Sequence, residues 1–349
     1  MFHKTSSYSL YFRMGKIKHS NIPIFLPELS CPHQCVFCNQ RKISGRTNIP
    51  EPHDISTIVE KHLKTMNDER EIEIAFFGGS FTGLEIERQE MYLQSANRFV
   101  KEKKVKGIRL STRPDYINNV ILDLLKTYNV TTIELGAQST DNEVLIKSGR
   151  GHNFEDIKNA SSLILDYAIA LGLQMMIGLP GDTLNKSIQT ANDIVNLGAT
   201  STRIYPTLVV KDTALEKLYN QKLYYPLSLE ESVNWTKELV KIFVQNNVKI
   251  LRIGLHPSEE LNEECSLIAG PVHNSFKELV ITNLFGDRIM NSIDSNNSGK
   301  YVISTNSRFV NYAVGYKREN KIELEKKKIK HEFTIDNNLR DYEINVICD

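Results

Sequence analysis

The chain has 349 residues, 40% hydrophobic and 24% charged, a globular balance with enough length for a large core or for two smaller ones. Lysine and arginine number 43 against 42 aspartate and glutamate, so the overall charge points to no class of partner. No run of about 18 apolar residues occurs, which excludes a membrane-crossing helix, and the first residues lack the apolar stretch of a signal peptide.

Residues 1–19 read as a loose N-terminal extension, with Lys4, Arg13, Lys16 and Lys18, no acid, and a second methionine at Met14. "IPIFL" (22–26) reads as a strand and "ISTIVEKHLKTM" (55–66) as a helix capped by Asp54. The strand "IEIAFF" (72–77) and the helix "EIERQEMYLQSANRFVKE" (85–102) follow. "GIRLS" (107–111) and "TTIELG" (131–136) read as strands around a helix near 116–128. "LQMMIG" (173–178) and "TRIYPT" (202–207) are strands preceded by helices near 153–170 and 183–197. Strands separated by helical segments imply right-handed βαβ units and a parallel sheet, here six units before about residue 210. Helices near 213–221 and 229–246 lead to a seventh strand, "VKILRIGL" (248–255). The core is therefore expected over 20–255. An extension over 256–349 follows, with a polar loop "NSIDSNNSGK" and three alternating segments, "KIELE", "HEFTI" and "YEINVI", read as strands with one wet face.

Three of the five cysteines, Cys31, Cys35 and Cys38, fall in "CPHQCVFCNQ", directly after the first strand. The loop after a strand's carboxyl end is where a parallel α/β fold places its chemistry. Three thiolates on one short loop hold three irons of a cubane cluster and leave the fourth without a protein ligand, which is what a catalytic centre needs. The alternative is structural zinc, with a histidine such as His33 as fourth ligand, although no second Cys-x2-Cys exists to complete the usual pair of ligand sets. Cys265 and Cys348 stand alone and read as inert thiols. Clustered cysteines without an export signal imply a cytoplasmic chain that binds metal rather than forming disulfides.

This spacing, with Phe37 before the last cysteine, resembles the signature of the radical S-adenosylmethionine (SAM) superfamily. "FFGGSFTGL", "STRPDY", "ELGAQS", "SGRGH" and "MMIGLPGDT" follow in the order and approximate spacing of its Elp3-like branch, over roughly residues 20–290. The resemblance implies an α/β fold, a partial (β/α)6 barrel of the TIM-like radical SAM type, with a small C-terminal α+β extension. It implies a 4Fe-4S cluster on Cys31, Cys35 and Cys38, with SAM chelating the open iron and cleaving reductively to a 5′-deoxyadenosyl radical. It implies an electron donor such as flavodoxin or ferredoxin.

The remaining motifs divide by how they suit SAM. "GGS" (Gly78, Gly79, Ser80) offers bare backbone to an ammonium group, and the family uses this motif for the methionyl amine. By the same resemblance Gln138 meets the ribose and Arg150 the polar end of the methionine. A guanidinium suits a carboxylate because its fork donates two hydrogen bonds. The resemblance also implies that Gly178 lies in a turn beside which adenine stacks, with Ile177 and Leu179 as adenine neighbours or as core. Phe37 and Ser111 complete the cofactor-binding candidates. Ser111 stands where relatives often carry glutamate, and Gln174 where some carry aspartate.

Three residues are catalytic candidates. Arg113, held extended before Pro114, either grips a substrate phosphate or carboxylate or pairs with Asp115. His256 and His273 fall past the core strands and suit acid–base work if they reach the barrel mouth. Lys211 is a candidate substrate contact.

The reading is a radical SAM enzyme of open substrate, tRNA or another RNA among the candidates. Full Elp3 proteins carry an acetyltransferase domain, for which the roughly 60 residues after 290 are too few. A coproporphyrinogen-oxidising enzyme is the second reading, weakened because its family places a further cysteine where this chain has Gln40. A zinc-bound RNA-binding or adaptor module is the third. The basic stretches "KREN" and "EKKKIKHE" are either solvated surface or an RNA contact.

Overall fold

The computed structural model describes residues 18–26, 35–39, 49–66, 70–255, 266–294, 297 and 299–349. The expectations for most of the N-terminal extension and for Cys31, His33, His256 and Cys265 lie outside the described residues.

The chain runs β1 (Lys18–Leu26), α1 (Asp54–Leu63), β2 (Arg70–Gly78), α2 (Ile86–Lys101), β3 (Gly107–Thr112), α3 (Asn119–Thr127), β4 (Val130–Gln138) and α4 (Asn142–Lys147). It continues α5 (Phe154–Asp166), β5 (Ala170–Ile177), α6 (Leu184–Asn196), β6 (Ser201–Pro206), β7 (Val209–Val210), α7 (Ala214–Asn220), α8 (Leu229–Gln245), β8 (Lys249–Ile253), β9 (Leu267–Ala269) and α9 (Phe276–Ser292). The end comprises β10 (Tyr301–Thr305), α10 (Val310–Val314), α11 (Glu319–Lys326), β11 (His331–Ile335) and β12 (Asn345–Cys348). No helix among the described residues is long and apolar enough to cross a membrane.

Seven strands form one sheet in the order β1-β2-β3-β4-β5-β6-β8, every neighbouring pair parallel. This is the expected curled, partly closed barrel, with the 248–255 segment as its seventh strand. Beyond the carboxyl ends of these strands, β7 and β9 pair antiparallel. A separate mixed sheet, β11-β10-β12, ends the chain.

The period-2 pattern gives the large sheet two unlike faces. Ile22, Ile24, Ile74, Phe76, Ile108, Leu110, Ile133, Leu135, Leu171, Leu173 and Ile204 are buried in one apolar core beneath the helices. Each fully buried side chain of this kind contributes about 1.5–3 kcal/mol. The alternate residues line the inner face and are polar: His19, Glu73, Arg109, Glu134 and Arg203 form one chain of contacts there. The helices start on local signals. Asn118, Asp141, Thr183 and Thr213 each accept a backbone N–H at a helix start, and Asn153 and Ser228 complete capping boxes with Asp156 and Glu231.

Four local expectations are corrected. "KIELE" is not a strand but part of α11. Only Leu324 in it is buried, so its alternation answered no two-sided burial, and the Glu–Lys pairs at i,i+4 favour a helix. Asp54 does not cap α1; it is the first helical residue and its carboxylate accepts the Glu51 N–H. The helix expected to 170 ends at Asp166, because Ala168 takes a left-handed turn (φ 54°) into β5. Of "YEINVI" only the end is strand, since Tyr342 is left-handed (φ 66°) and β12 starts at Asn345.

Candidate active site

The carboxyl ends of β2 to β6 gather around the described part of the cysteine loop. Cys35 is buried and Cys38 half-buried, and the Cys38 N–H donates to the Cys35 carbonyl at 3.0 Å. The loop is pinned from two sides: the Val36 N–H donates to the Ser148 carbonyl at 3.1 Å, and the Leu215 N–H donates to the Val36 carbonyl at 2.7 Å. Phe37 is buried in a satellite core with Cys35, Val144, Leu179, Val209, Leu215 and Tyr224. Its ring anchors the loop.

Arg150 reaches this loop from the segment after α4. Gly149 and Gly151 flank it, both left-handed (φ 64° and 72°), so the chain turns sharply on each side and drives the side chain inward. Its Nη1 lies 3.1 Å from Cys35 Sγ, and Nη2 donates to the Gly136 carbonyl. Nε is buried and makes no hydrogen bond. Beside it Gln138, at the end of β4 where the register with β5 slips, holds a left-handed backbone (φ 67°) that a non-glycine residue adopts only at a cost of about 1–2 kcal/mol. Its Oε1 is also buried without a partner. Gly136 leaves the space for both: a Cβ there would lie 3.0 Å from Gln138 Nε2 and 3.4 Å from Arg150 Nη2.

The other strand ends close the ring. Gly78 (φ 108°) ends β2, and the Gly79 N–H donates to the Leu26 carbonyl. Ser80 shares a hydrogen bond of 2.8 Å with Thr112 and accepts the Arg113 N–H, so its hydroxyl ties β2 to β3. Ser111 faces inward and accepts from Gln174 at 3.4 Å. The Gly178 turn (φ 73°) is clamped on both sides: its N–H donates to Asp182 at 2.8 Å and its carbonyl accepts from Tyr224 at 2.7 Å. Burial drives the Asp182 carboxyl up to about 6, against the hydrogen bonds from Ser187, Gly178 and Thr183 that favour its charge. Behind this turn an open cavity of about 440 Å³ is lined by Lys147, Leu223, Tyr225 and Trp235, with Leu179 and Tyr224 shared between it and the cysteine packing.

The remaining candidates are placed as follows. Arg113 is buried and pairs with Asp115, Nε and Nη2 each donating at 2.9 Å, and it also donates to the Arg150 carbonyl. Burial would raise the Asp115 carboxyl, but Arg113 outweighs it and the pKa is lowered. Ile177 is buried in the helix-facing core, and strand alternation turns Met176 toward the cysteine packing. His273 sits on the rim beyond β9, its Nδ1 accepting the Ser275 N–H and its ring edge-on to Tyr316. Lys211 is exposed, and its carbonyl accepts from Asn39 at 3.4 Å.

The sequence reading missed the inner-face ion chain. Arg109 donates to Glu73 at 2.9 Å and to Glu134 at 2.8 Å, and Glu134 also accepts from Arg203. Burial pushes Glu73 up, but His19, Arg109 and Thr131 outweigh it and bring it to about 2; Glu134 is lowered by Arg203 and Arg109 against the same burial. The signal was one charge at an alternate position in each apolar run: "IEIAFF", "GIRLS", "TTIELG" and "TRIYPT". His152, its side chain fully buried, is driven down to about 3 by burial and by the Arg150 and Arg113 charges, so it is neutral.

Partnerless buried polar atoms on Gln138 and Arg150, a glycine cradle beneath them and cysteine sulfurs alongside fit an amino-acid-bearing nucleoside held against a thiolate-bound cluster. Comparison with known proteins agrees. The family model described as the radical SAM superfamily matches residues 29–194, and that of the radical SAM C-terminal domain matches residues 199–285. A tRNA uridine(34) acetyltransferase of Methanocaldococcus infernus is 25% identical over 255 residues, 61% of this chain and 47% of that protein. An uncharacterised protein of Methanocaldococcus jannaschii is 28% identical over 66% of this chain and 74% of its own length. The archaeal Elp3 of Methanocaldococcus infernus, solved with an N-terminal deletion, shares the fold with a TM-score of 0.62 at 20% identity, over 77% of this chain and 63% of that one. The chain spans about half the length of the tRNA acetyltransferases it matches. Members of the superfamily bind a 4Fe-4S cluster and SAM. Two successive family models thus run from the cysteine loop through the strand ends around it to the helices that close the core, and the chain belongs to the radical SAM superfamily as one of its enzymes.

Proposed function

We propose that this chain is a cytoplasmic radical SAM enzyme that modifies RNA, with tRNA as the leading substrate. The observation that carries the cofactor part is the convergence of Arg150 and Gln138 on Gly136 beside Cys35. The substrate part is supported by the relatives named as tRNA uridine(34) acetyltransferases. The match covers less than half of those proteins, so the proposal takes the radical step from them and not acetyl transfer.

In this reading Cys31, Cys35 and Cys38 hold three irons. When bound, the 4Fe-4S cluster would give one electron to the SAM sulfonium, whose C5′–S bond would break to leave methionine and a 5′-deoxyadenosyl radical able to take hydrogen from the substrate. The chain's own residues position and shield. Gly78 and Gly79 offer backbone to the methionyl amine, and Arg150 offers its remaining donor to the carboxylate. Gln138 offers its amide oxygen to a ribose hydroxyl. The Gly178 turn, fixed by Asp182 and Tyr224, is a rigid surface beside which the adenine stacks. Ser111 and Gln174 share a hydrogen bond on the inner face below. The electron comes from a small reducing protein such as flavodoxin or ferredoxin.

The test is anaerobic reconstitution followed by SAM turnover with bulk tRNA or with coproporphyrinogen, reading 5′-deoxyadenosine. Stimulation by tRNA alone supports the proposal. Stimulation by porphyrinogen alone moves the substrate to the tetrapyrroles, and iron-free protein with one zinc per chain ends the radical reading altogether.

A further inference from the structure

We propose that the Tyr316–Lys317–Arg318 turn is a docking element for folded RNA, gripping phosphates and stacking an unpaired base at the barrel rim. This rests on the RNA reading above and adds where that RNA is held.

The first argument is position. The Tyr316 ring meets the His273 ring edge-on, with centroids 5.5 Å apart. His273 stands between Gly270, packed on Leu208 just past β6, and Phe276, packed on Gly254 just past β8. The turn therefore sits on the carboxyl-end side of the sheet. The same rim carries the cysteine loop, since Asn39 donates to the Lys211 carbonyl and the Lys211 N–H donates to the Ser266 carbonyl, leading into β9.

The second is conformation. Lys317 and Arg318 are both left-handed (φ 49° and 65°), the one adjacent pair of non-glycine residues of this kind among the described residues. Each costs about 1–2 kcal/mol over an ordinary backbone. The surroundings enforce the arrangement. Gly315 (φ 96°) cannot carry a side chain, because a Cβ would come within 2.8 Å of the Asn320 backbone nitrogen. The Tyr316 N–H donates to Thr282 Oγ1 at 2.8 Å, and Asn320 Nδ2 donates to the Thr282 and Ala313 carbonyls. Strain held in place this firmly marks a feature kept for more than packing.

The third is chemistry. Lys317 Nζ lies 5.4 Å from the centre of the Tyr316 ring, and the Arg318 side chain is 62% exposed, with only a 3.9 Å approach to Glu325. Residues 317–330 carry seven Lys and Arg against three Glu. Cations for phosphates beside rings for unstacked bases is the composition of surfaces that bind single-stranded loops of RNA. The turn lies beyond both matched family regions.

The experiment measures binding of bulk tRNA to the full-length chain across a salt series. K317E/R318E is compared with wild type and with K61E/K64E, two exposed lysines at the end of α1. K317E/R318E is expected to bind at least about tenfold more weakly, with the log–log salt slope reduced by about two, one for each phosphate no longer neutralised. K61E/K64E binds as wild type, and K317Q/R318Q shows a smaller loss in the same direction. SAM cleavage driven by dithionite without RNA stays unchanged in all three variants, which shows that the fold is intact. Equal tRNA binding by K317E/R318E and wild type overturns this inference and leaves the RNA reading standing. No tRNA binding by wild type overturns both. Unchanged tRNA binding with lost turnover from a protein reductant assigns the turn to the electron donor instead, and also overturns it.

Discussion

Arg150 places a guanidinium nitrogen 3.1 Å from the sulfur of Cys35, 115 residues earlier in the chain. That approach joins the cysteine loop to the end of β4, because the same guanidinium binds the Gly136 carbonyl. It also leaves one donor, Nε, buried and unsatisfied. Replacing Arg150 with alanine removes charge-assisted bonds of about 1.5–3 kcal/mol each. The Michaelis constant for SAM should rise by about tenfold to a hundredfold, measured by anaerobic 5′-deoxyadenosine formation. Arg150→Lys keeps the charge and loses the fork, and should recover only part of the affinity. An unchanged constant in both variants removes Arg150 from the SAM site.

Cys35→Ser and Cys38→Ser should each purify with much less iron and sulfide than wild type after identical anaerobic reconstitution. Neither should show the spectrum of a reduced cubane cluster. Cys348→Ser, at the far end of the chain on β12, should match wild type in both. Full iron content in the Cys38 variant contradicts the ligand assignment.

Gly136→Ala tests the cradle without touching a polar group. Its added methyl would crowd Gln138 Nε2 at 3.0 Å and Arg150 Nη2 at 3.4 Å, both the ends of flexible side chains. Stability should therefore change by less than about 1 kcal/mol, while SAM affinity falls several-fold. Thermal unfolding and a SAM titration measure the two separately; a large loss of stability with unchanged affinity makes the glycine purely structural.

Glu134 is shared by Arg109 and Arg203 and is almost wholly buried. Removing one member of a buried ion set leaves uncompensated charge, at about 3–5 kcal/mol. Glu134→Ala should lower the unfolding midpoint by several degrees. Arg203 suffers more than Arg109, because Arg109 keeps Glu73. Thermal unfolding of Glu134→Ala, read against wild type, checks the size, and a midpoint unchanged from wild type contradicts it.

Asp182 provides a pH test. Its folded pKa, about 6, lies above the ordinary 3.8, so the folded state holds the proton more tightly than the unfolded chain. Stability from this group is present below 3.8 and is lost as pH rises through about 6, at up to about 1.4 kcal/mol per pH unit. The stability of wild type relative to Asp182→Asn should therefore fall across that window and stay level above it. A difference independent of pH between 4 and 7 would falsify the raised value.

How far the fold and site were legible depends on how local each signal was. The cysteine spacing and the glycines at strand ends are short-range features: Gly78, Gln138 and Gly178 lie at or just past the carboxyl ends of their strands, and Arg150 reaches the end of β4 from the segment after α4. Arg109 and Glu134 were passed over because one charge inside an apolar run looks like tolerated noise until four strands bring such charges together. The long helix α9 was missed although Phe276, Val280, Leu284 and Phe285 recur at helical spacing, because its start lies in a glycine- and proline-containing stretch that reads as loop. "KIELE" misled because five residues do not separate a period of two from one of 3.6 when a single leucine needs cover.

The seven-stranded arc begins at β1 and stops at β8, with no hydrogen bonds joining those two margins among the described residues. A sealed cylinder would admit only what fits down its axis. A sheet that stops short of closure keeps two free margins, so a substrate wider than the cleft can stay outside and lower one protruding group to the reacting centre.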